Sequence, residues 1–120
     1  MENEPEILAT RIVSQSTSRN FTLNITFFLN GCFIVITEGQ ARIGAVSIGI
    51  STSNKISTAK VIPSKYDSIF INTLAEKISS MINGISLVSL HSKNQLELDD
   101  MKAIMEGVMN TVTSKTHEKK

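Results

Sequence analysis

Between Asn20 and Thr37 the chain carries no charged side chain, and there Phe21, Leu23, Ile25 and Phe27 alternate with Thr22, Asn24 and Thr26. A period of two marks a strand with one buried and one solvated face. Asn30-Gly31 follows, the pair best able to hold both central residues of a two-residue hairpin turn at positive φ. Cys32 to Thr37 then runs almost wholly apolar, the pattern of a strand covered on both faces. The stretch is long enough to suggest a membrane span, but its polar residues and the turn pair interrupt it. A hairpin is predicted, not a transmembrane helix.

The rest of the chain extends this sheet. Ile7 to Gln15 is β-branched and apolar, and Ile43 to Ile50 places Gly44, Val46, Ile48 and Ile50 on one face and Ile43, Ala45, Ser47 and Gly49 on the other. Small residues on one face let another element approach closely. Ser51 to Thr58 is polar and reads as a loop before a short strand, Ala59 to Ile62, which Pro63 ends. From Asp67 the period changes: Phe70, Leu74, Ile78 and Ile82 recur at helical spacing, and Asn83-Gly84 stops the run. Ile85 to Leu90 is a strand of buried type. Ile104, Val108 and Val112, with Met101, Met105 and Met109, mark a second helix that has Asp99 and Asp100 at its start. The order is five strands, helix, strand, helix. Short turns between consecutive strands predict an antiparallel five-strand meander within a sheet of about six strands. Both helices lie on one face of it, an α+β fold.

Residues 1–120 form one domain, with tails expected to be mobile at 1–6 and 113–120. Ile, Leu, Val and Phe are abundant enough to build a core, which argues against global disorder. With 12 basic and 11 acidic residues the formal charge is +1, and a dedicated nucleic-acid surface is not expected. The acidic opening, Met-Glu-Asn-Glu-Pro-Glu, lacks the basic start of a signal peptide. One cysteine, Cys32, excludes a disulfide framework. A reducing compartment, the cytoplasm or the nucleus, is the expected location, with no membrane attachment.

Chemistry is scarce. Nucleophilic catalysis needs a nucleophile, a base and a group that orients the base. The two histidines are poorly placed for this: His117 lies in the C-terminal tail and His91 just after a strand beside Ser92 and Lys93. Cys32, in an apolar run, reads as a small buried hydrophobe. No pairing of histidines or cysteines has metal-ligand spacing, and Glu97, Asp99 and Asp100 are explained by the start of a helix. The glycines are scattered through turns and strands, so no phosphate-cradling loop is present. No cofactor is expected, and no enzymatic activity.

Apolar surface remains. Two helices cover one face of a sheet, yet Phe33 to Ile36 and Ile43 to Ile50 ask for cover on both, so a partner subunit is expected to supply the second. Met101, Met105 and Met109 form a deformable row along the second helix, which either packs on the sheet or meets a partner.

The runs Phe28-Leu-Asn-Gly-Cys-Phe-Ile-Val-Ile-Thr37, Ile43-Gly-Ala-Val-Ser-Ile48, Ser68-Ile-Phe-Ile-Asn-Thr-Leu-Ala-Glu-Lys-Ile78 and Leu98-Asp-Asp-Met-Lys-Ala-Ile-Met-Glu-Gly-Val108 resemble, in order, the small proteasome assembly chaperones, the third of that set above all. The likeness covers about residues 14 to 112 and rests on hydrophobic pattern and turn glycines. It implies a non-enzymatic chaperone that pairs with a related small chaperone or with itself and binds proteasome α-subunits while the α-ring of the 20S core particle assembles. The chain ends His117-Glu-Lys-Lys120, so the hydrophobic-tyrosine tail of the larger assembly chaperones is not implied. Ser51, Asn54 and Lys55, in the polar segment, are the expected α-subunit contact, because a mobile loop can adapt to a partner. A different class, a dimeric scaffold of roadblock or profilin-like type in signalling or trafficking, would usually place a helix between early strands, and none is predicted here.

Overall fold

The computed structural model describes residues 6–53 and 55–118, with side chains to residue 115. Strands β1 (Glu6–Val13), β2 (Asn20–Phe28), β3 (Gly31–Thr37), β4 (Ala45–Thr52), β5 (Lys55–Ile62) and β6 (Ile85–His91) form one sheet; α1 (Ser68–Ile82) precedes β6 and α2 (Leu98–Glu118) follows it. The α+β class and the helix positions agree with expectation. The sheet is mostly antiparallel, but its order is β1-β2-β3-β6-β4-β5. The meander is therefore split: β6 lies between β3 and β4, parallel to the first and antiparallel to the second. The physical reason is the crossover through α1. It carries the chain from β5 over β4, so that the most apolar late strand enters the centre of the sheet, where both its edges are paired.

Two glycines show where the elements close on one another. At Gly49 a Cβ would lie 2.4 Å from the Ala75 carbonyl oxygen, so α1 sits directly on β4. This is the close approach expected of the small-residue face, and Ser47 on the same face donates to Asn72 Oδ1 of α1 at 2.5 Å. At Gly31 a Cβ would lie 2.1 Å from the Ile85 carbonyl oxygen. Phe28 pairs with Gly31, so the two turn residues are Leu29 and Asn30. Gly31 is thus required by the neighbouring strand and not by a positive-φ turn, which corrects the reading of Asn30-Gly31.

The second correction concerns the segment expected to be a loop. β4 continues to Thr52, β5 begins at Lys55, and Ser47–Thr52 pair in register with Lys60–Lys55. Ser53, at φ 41°, makes the turn, and Asn54 lies outside the described residues. All eight β5 residues are exposed, so nothing demanded an apolar alternation there. A solvated edge strand and a polar loop then have the same composition.

The core sits between the sheet and both helices. Leu23, Ile25, Ile34, Ile36, Val88 and Leu90 meet Ile71, Leu74 and Ile78 of α1 and Ile104, Val108 and Val112 of α2. α1 ends as expected, with Asn83 left-handed at φ 52° and the Gly84 N–H donating to the Ser79 carbonyl at 3.1 Å. Asp67 occupies its N-cap position without a side-chain capping bond. α2 runs on through Thr113, and Lys115 pairs with Glu6, so part of the segment expected to be a mobile tail is helical.

Candidate functional site

Strand alternation sends every second residue of the sheet away from the helices. On β3 and β6 these are Phe33, Val35, Ile85 and Leu87, with Phe33 opposite Leu87; on β4 they are Val46, Ile48 and Ile50, with Ile48 opposite Leu87 and Ile50 opposite Ile85. Phe28 continues the strip on β2, and Ala59 and Ile62 continue it on β5. Among the described residues no helix covers this face; Thr37 and Ser89, at the end where Arg42 and Gly44 hydrogen-bond to them, are buried together with Val46, and the apolar side chains of the strip other than Val46 are not. Phe28 and Ile50 remain 49% and 40% exposed. At the hairpin end Phe28, Phe33, Ile85 and Leu87 line a shallow depression of about 320 Å³ floored by Gly31 and Cys32. On β2 the face turns polar, with Thr22, Asn24 and Thr26, and β1 beyond it adds Ile7, Ala9, Arg11 and Val13, of which Ile7 and Val13 are exposed. A contiguous exposed apolar strip bordered by the polar row of β2 has the composition of a protein–protein contact surface.

A charged clasp ties the strands that carry the open face to α2. Arg19, just before β2, donates from Nε and Nη2 to the two carboxylate oxygens of Glu38 at 3.0 and 2.7 Å, and from Nη1 to Asp100 Oδ2 at 3.0 Å. It also reaches the Gln95 and Asn94 carbonyls and stacks over the Phe21 ring at 5.6 Å. Its side chain is 15% exposed and that of Asp100 is fully buried. This joins the start of β2, the end of β3 and the start of α2 in one clasp. The hydrogen bond to Glu38 pushes the Arg19 pKa further up, and the same bond holds the Glu38 carboxyl below its ordinary value. Burial pushes Asp100 up, but hydrogen bonds from Thr17 and the Glu97 N–H, together with the Arg19 charge, leave it lowered. Asp100 accepting the Glu97 N–H at 2.8 Å is one arm of a capping box, so the acidic cluster is indeed bound up with the helix start.

The remaining expected residues fall in three places. Ser51 is half-buried on the helix side of β4, where its N–H donates to the Gly84 carbonyl at 3.0 Å. Lys55 is exposed at the start of β5, and Asn54 is not described. Met101, Met105 and Met109 are half-buried along α2 and pack against the core cluster. The structure therefore does not bring Ser51 and the methionines together into one site. Sequence reasoning overlooked Ile85 and Leu87 as members of the open face, though the nearly unbroken apolar run of β6 was the signal: such a strand needs a neighbour on each edge and apolar contact on both faces. Burial pushes the Cys32 thiol up to about 12, which removes it as a thiolate nucleophile at neutral pH. Among the described residues no three His, Cys, Asp or Glu side chains converge as a metal site, and no helix is long and apolar enough to cross a membrane.

No family model matches the chain, and no curated protein matches it. Among solved structures the fold is similar to a chain of the crystal structure described as a novel chaperone complex for yeast 20S proteasome assembly, with a TM-score of 0.59 and 14% sequence identity over 94% of this chain and 93% of that one.

Proposed function

We propose that this protein is a non-enzymatic assembly chaperone whose open sheet face is covered by a second polypeptide, either another copy or a related small chaperone, and which binds proteasome α-subunits as the α-ring of the 20S core particle forms. The observation that carries the reading is the uncovered apolar strip on β3, β6 and β4, in a fold shared with a component of a proteasome-assembly chaperone complex. Burying such a strip against a like surface supplies the free energy of association without any chemistry. A stable pairing buries about 800 Å² on each partner. The α-subunit contact is assigned to the end of the β4–β5 hairpin, where Lys55 projects into solvent.

Light scattering on the purified chain tests the first half of the proposal, with a mass of twice 13.2 kDa expected for self-pairing. Capture of α-subunits from extract, without mature core particle, tests the second. A monomer at high concentration that retains neither an α-subunit nor a related small chaperone would end the reading. Asn54→Ala with Lys55→Ala separates the two surfaces: pairing is expected to survive while α-subunit capture weakens.

A further inference from the structure

The two edges of the sheet are unlike. β1 carries both signs, Arg11 and Glu6; Glu6 is paired with Lys115 of α2, and Ile12 is buried under Gly107 of the same helix. β5 has no such cover, and every residue from Lys55 to Ile62 is exposed. From Gln40 to Tyr66 the chain holds Arg42, Lys55, Lys60 and Lys65 and not one carboxylate. Among the described residues neither Lys55 nor Lys60 takes part in an ion pair. The part of β5 between these two lysines is regular; the irregularity opposite Val46 and Ser47 lies beyond it.

We infer that the outer edge of β5 accepts an extended segment of a partner protein as a seventh strand, about six residues long, with a carboxylate near each end and β-branched residues between. The backbone groups of β5 that point away from β4 supply the hydrogen bonds of such an addition. The lysines set its charge. They stand five residues apart, roughly 17 Å along a strand, and an odd spacing places them on opposite faces of the sheet. A segment with carboxylates five residues apart meets both. A second copy of this chain brings no complement: β5 holds no carboxylate, so neither lysine meets an opposite charge in a pairing of two β5 edges, and the antiparallel register that overlaps Lys55–Lys60 sets the two lysines directly opposite, where like charges destabilise a strand pair. The inference stands on the charge and exposure of β5 and does not rest on the chaperone reading.

The test uses the full chain and a labelled peptide, Glu-Val-Thr-Ile-Thr-Glu, against the same peptide with lysine at both ends. Fluorescence anisotropy is expected to show binding of the Glu-ended peptide, weakened by salt, with amide shift changes in NMR spectra concentrated on β5. Lys55→Glu with Lys60→Glu, both at solvated positions, is expected to weaken that peptide roughly tenfold and to turn the preference toward the Lys-ended one. A Glu-ended peptide N-methylated at alternate residues is expected not to bind, whatever the variant does. Equal binding of the two peptides by the unmodified chain, undiminished binding of the N-methylated peptide, or self-association that a β5 block abolishes would each overturn the inference. None of these outcomes touches the open face, since Phe33 and Leu87 lie on β3 and β6.

Discussion

The two faces of the sheet are made by the same strands and differ only in parity. On β3 and β6, Ile34 and Val88 are fully buried beneath the helices, while Phe33 and Leu87, one residue away on each strand, are only partly buried. Side-chain chemistry does not separate them, since all four are large and apolar. What differs is the second layer: α1 and α2 complete one face within the chain, and among the described residues no helix covers the other. Under the proposed pairing, folding and association would draw on alternate residues of the same strands.

Ile34→Ala should do the most damage. It removes packing at a fully buried position and is expected to cost about 2 to 5 kcal/mol, read from urea unfolding. A loss no larger than that of Phe33→Ala would break the distinction between the faces. Next comes Arg19→Met, which leaves Asp100 buried without its cation and Glu38 without its fork. About 3 kcal/mol is expected at neutral pH, since removing one partner of a buried ion pair strands the other.

The clasp also gives the covered side a pH dependence. Glu38 and Asp100 both have lowered pKa values in the folded chain, against ordinary values of 4.5 and 3.8. Below those values the unfolded chain binds protons that the folded chain refuses. Stability from these groups is thus complete above about pH 4.5 and is lost as the pH falls through the folded values. Asp67 runs the other way: burial raises its pKa, so its penalty is relieved by acid and blunts the loss. Melting temperature is expected to fall from pH 5 to pH 3, and to fall less in Arg19→Met; an equal fall in both would show that the clasp is not its source.

The smallest effect on folding belongs to the open face. Phe33→Ser with Leu87→Ser is expected to cost the monomer less than Ile34→Ala does, because both side chains already keep part of their surface in solvent and neither is enclosed by the helices. The same pair of changes is expected to halve the mass seen by light scattering. Loss of folding together with mass would mean that the open face is part of the monomer's own core.

Much of this was legible before any coordinates. The alternation of Phe21 to Phe27 placed the buried parity of β2, Asn83-Gly84 marked the end of α1, and the uncharged arm from Phe33 to Ile36 already asked for cover on two faces. β5 was not legible, because an edge strand with no buried residue imposes no pattern on its sequence. Gly31 was misread because its reason lies fifty-four residues away, at Ile85.

The division has one physical cause. Periods of two and 3.6 are properties of a single segment, so the amino-acid sequence by itself determined which residues of most strands and of the helices face inward, along with the α+β class. Strand order is a matter of pairing between distant segments, and several orders satisfy the same alternation. Only the tertiary structure decided that β6 parts β3 from β4, that α1 rests on Gly49, and which apolar parity is left open to solvent.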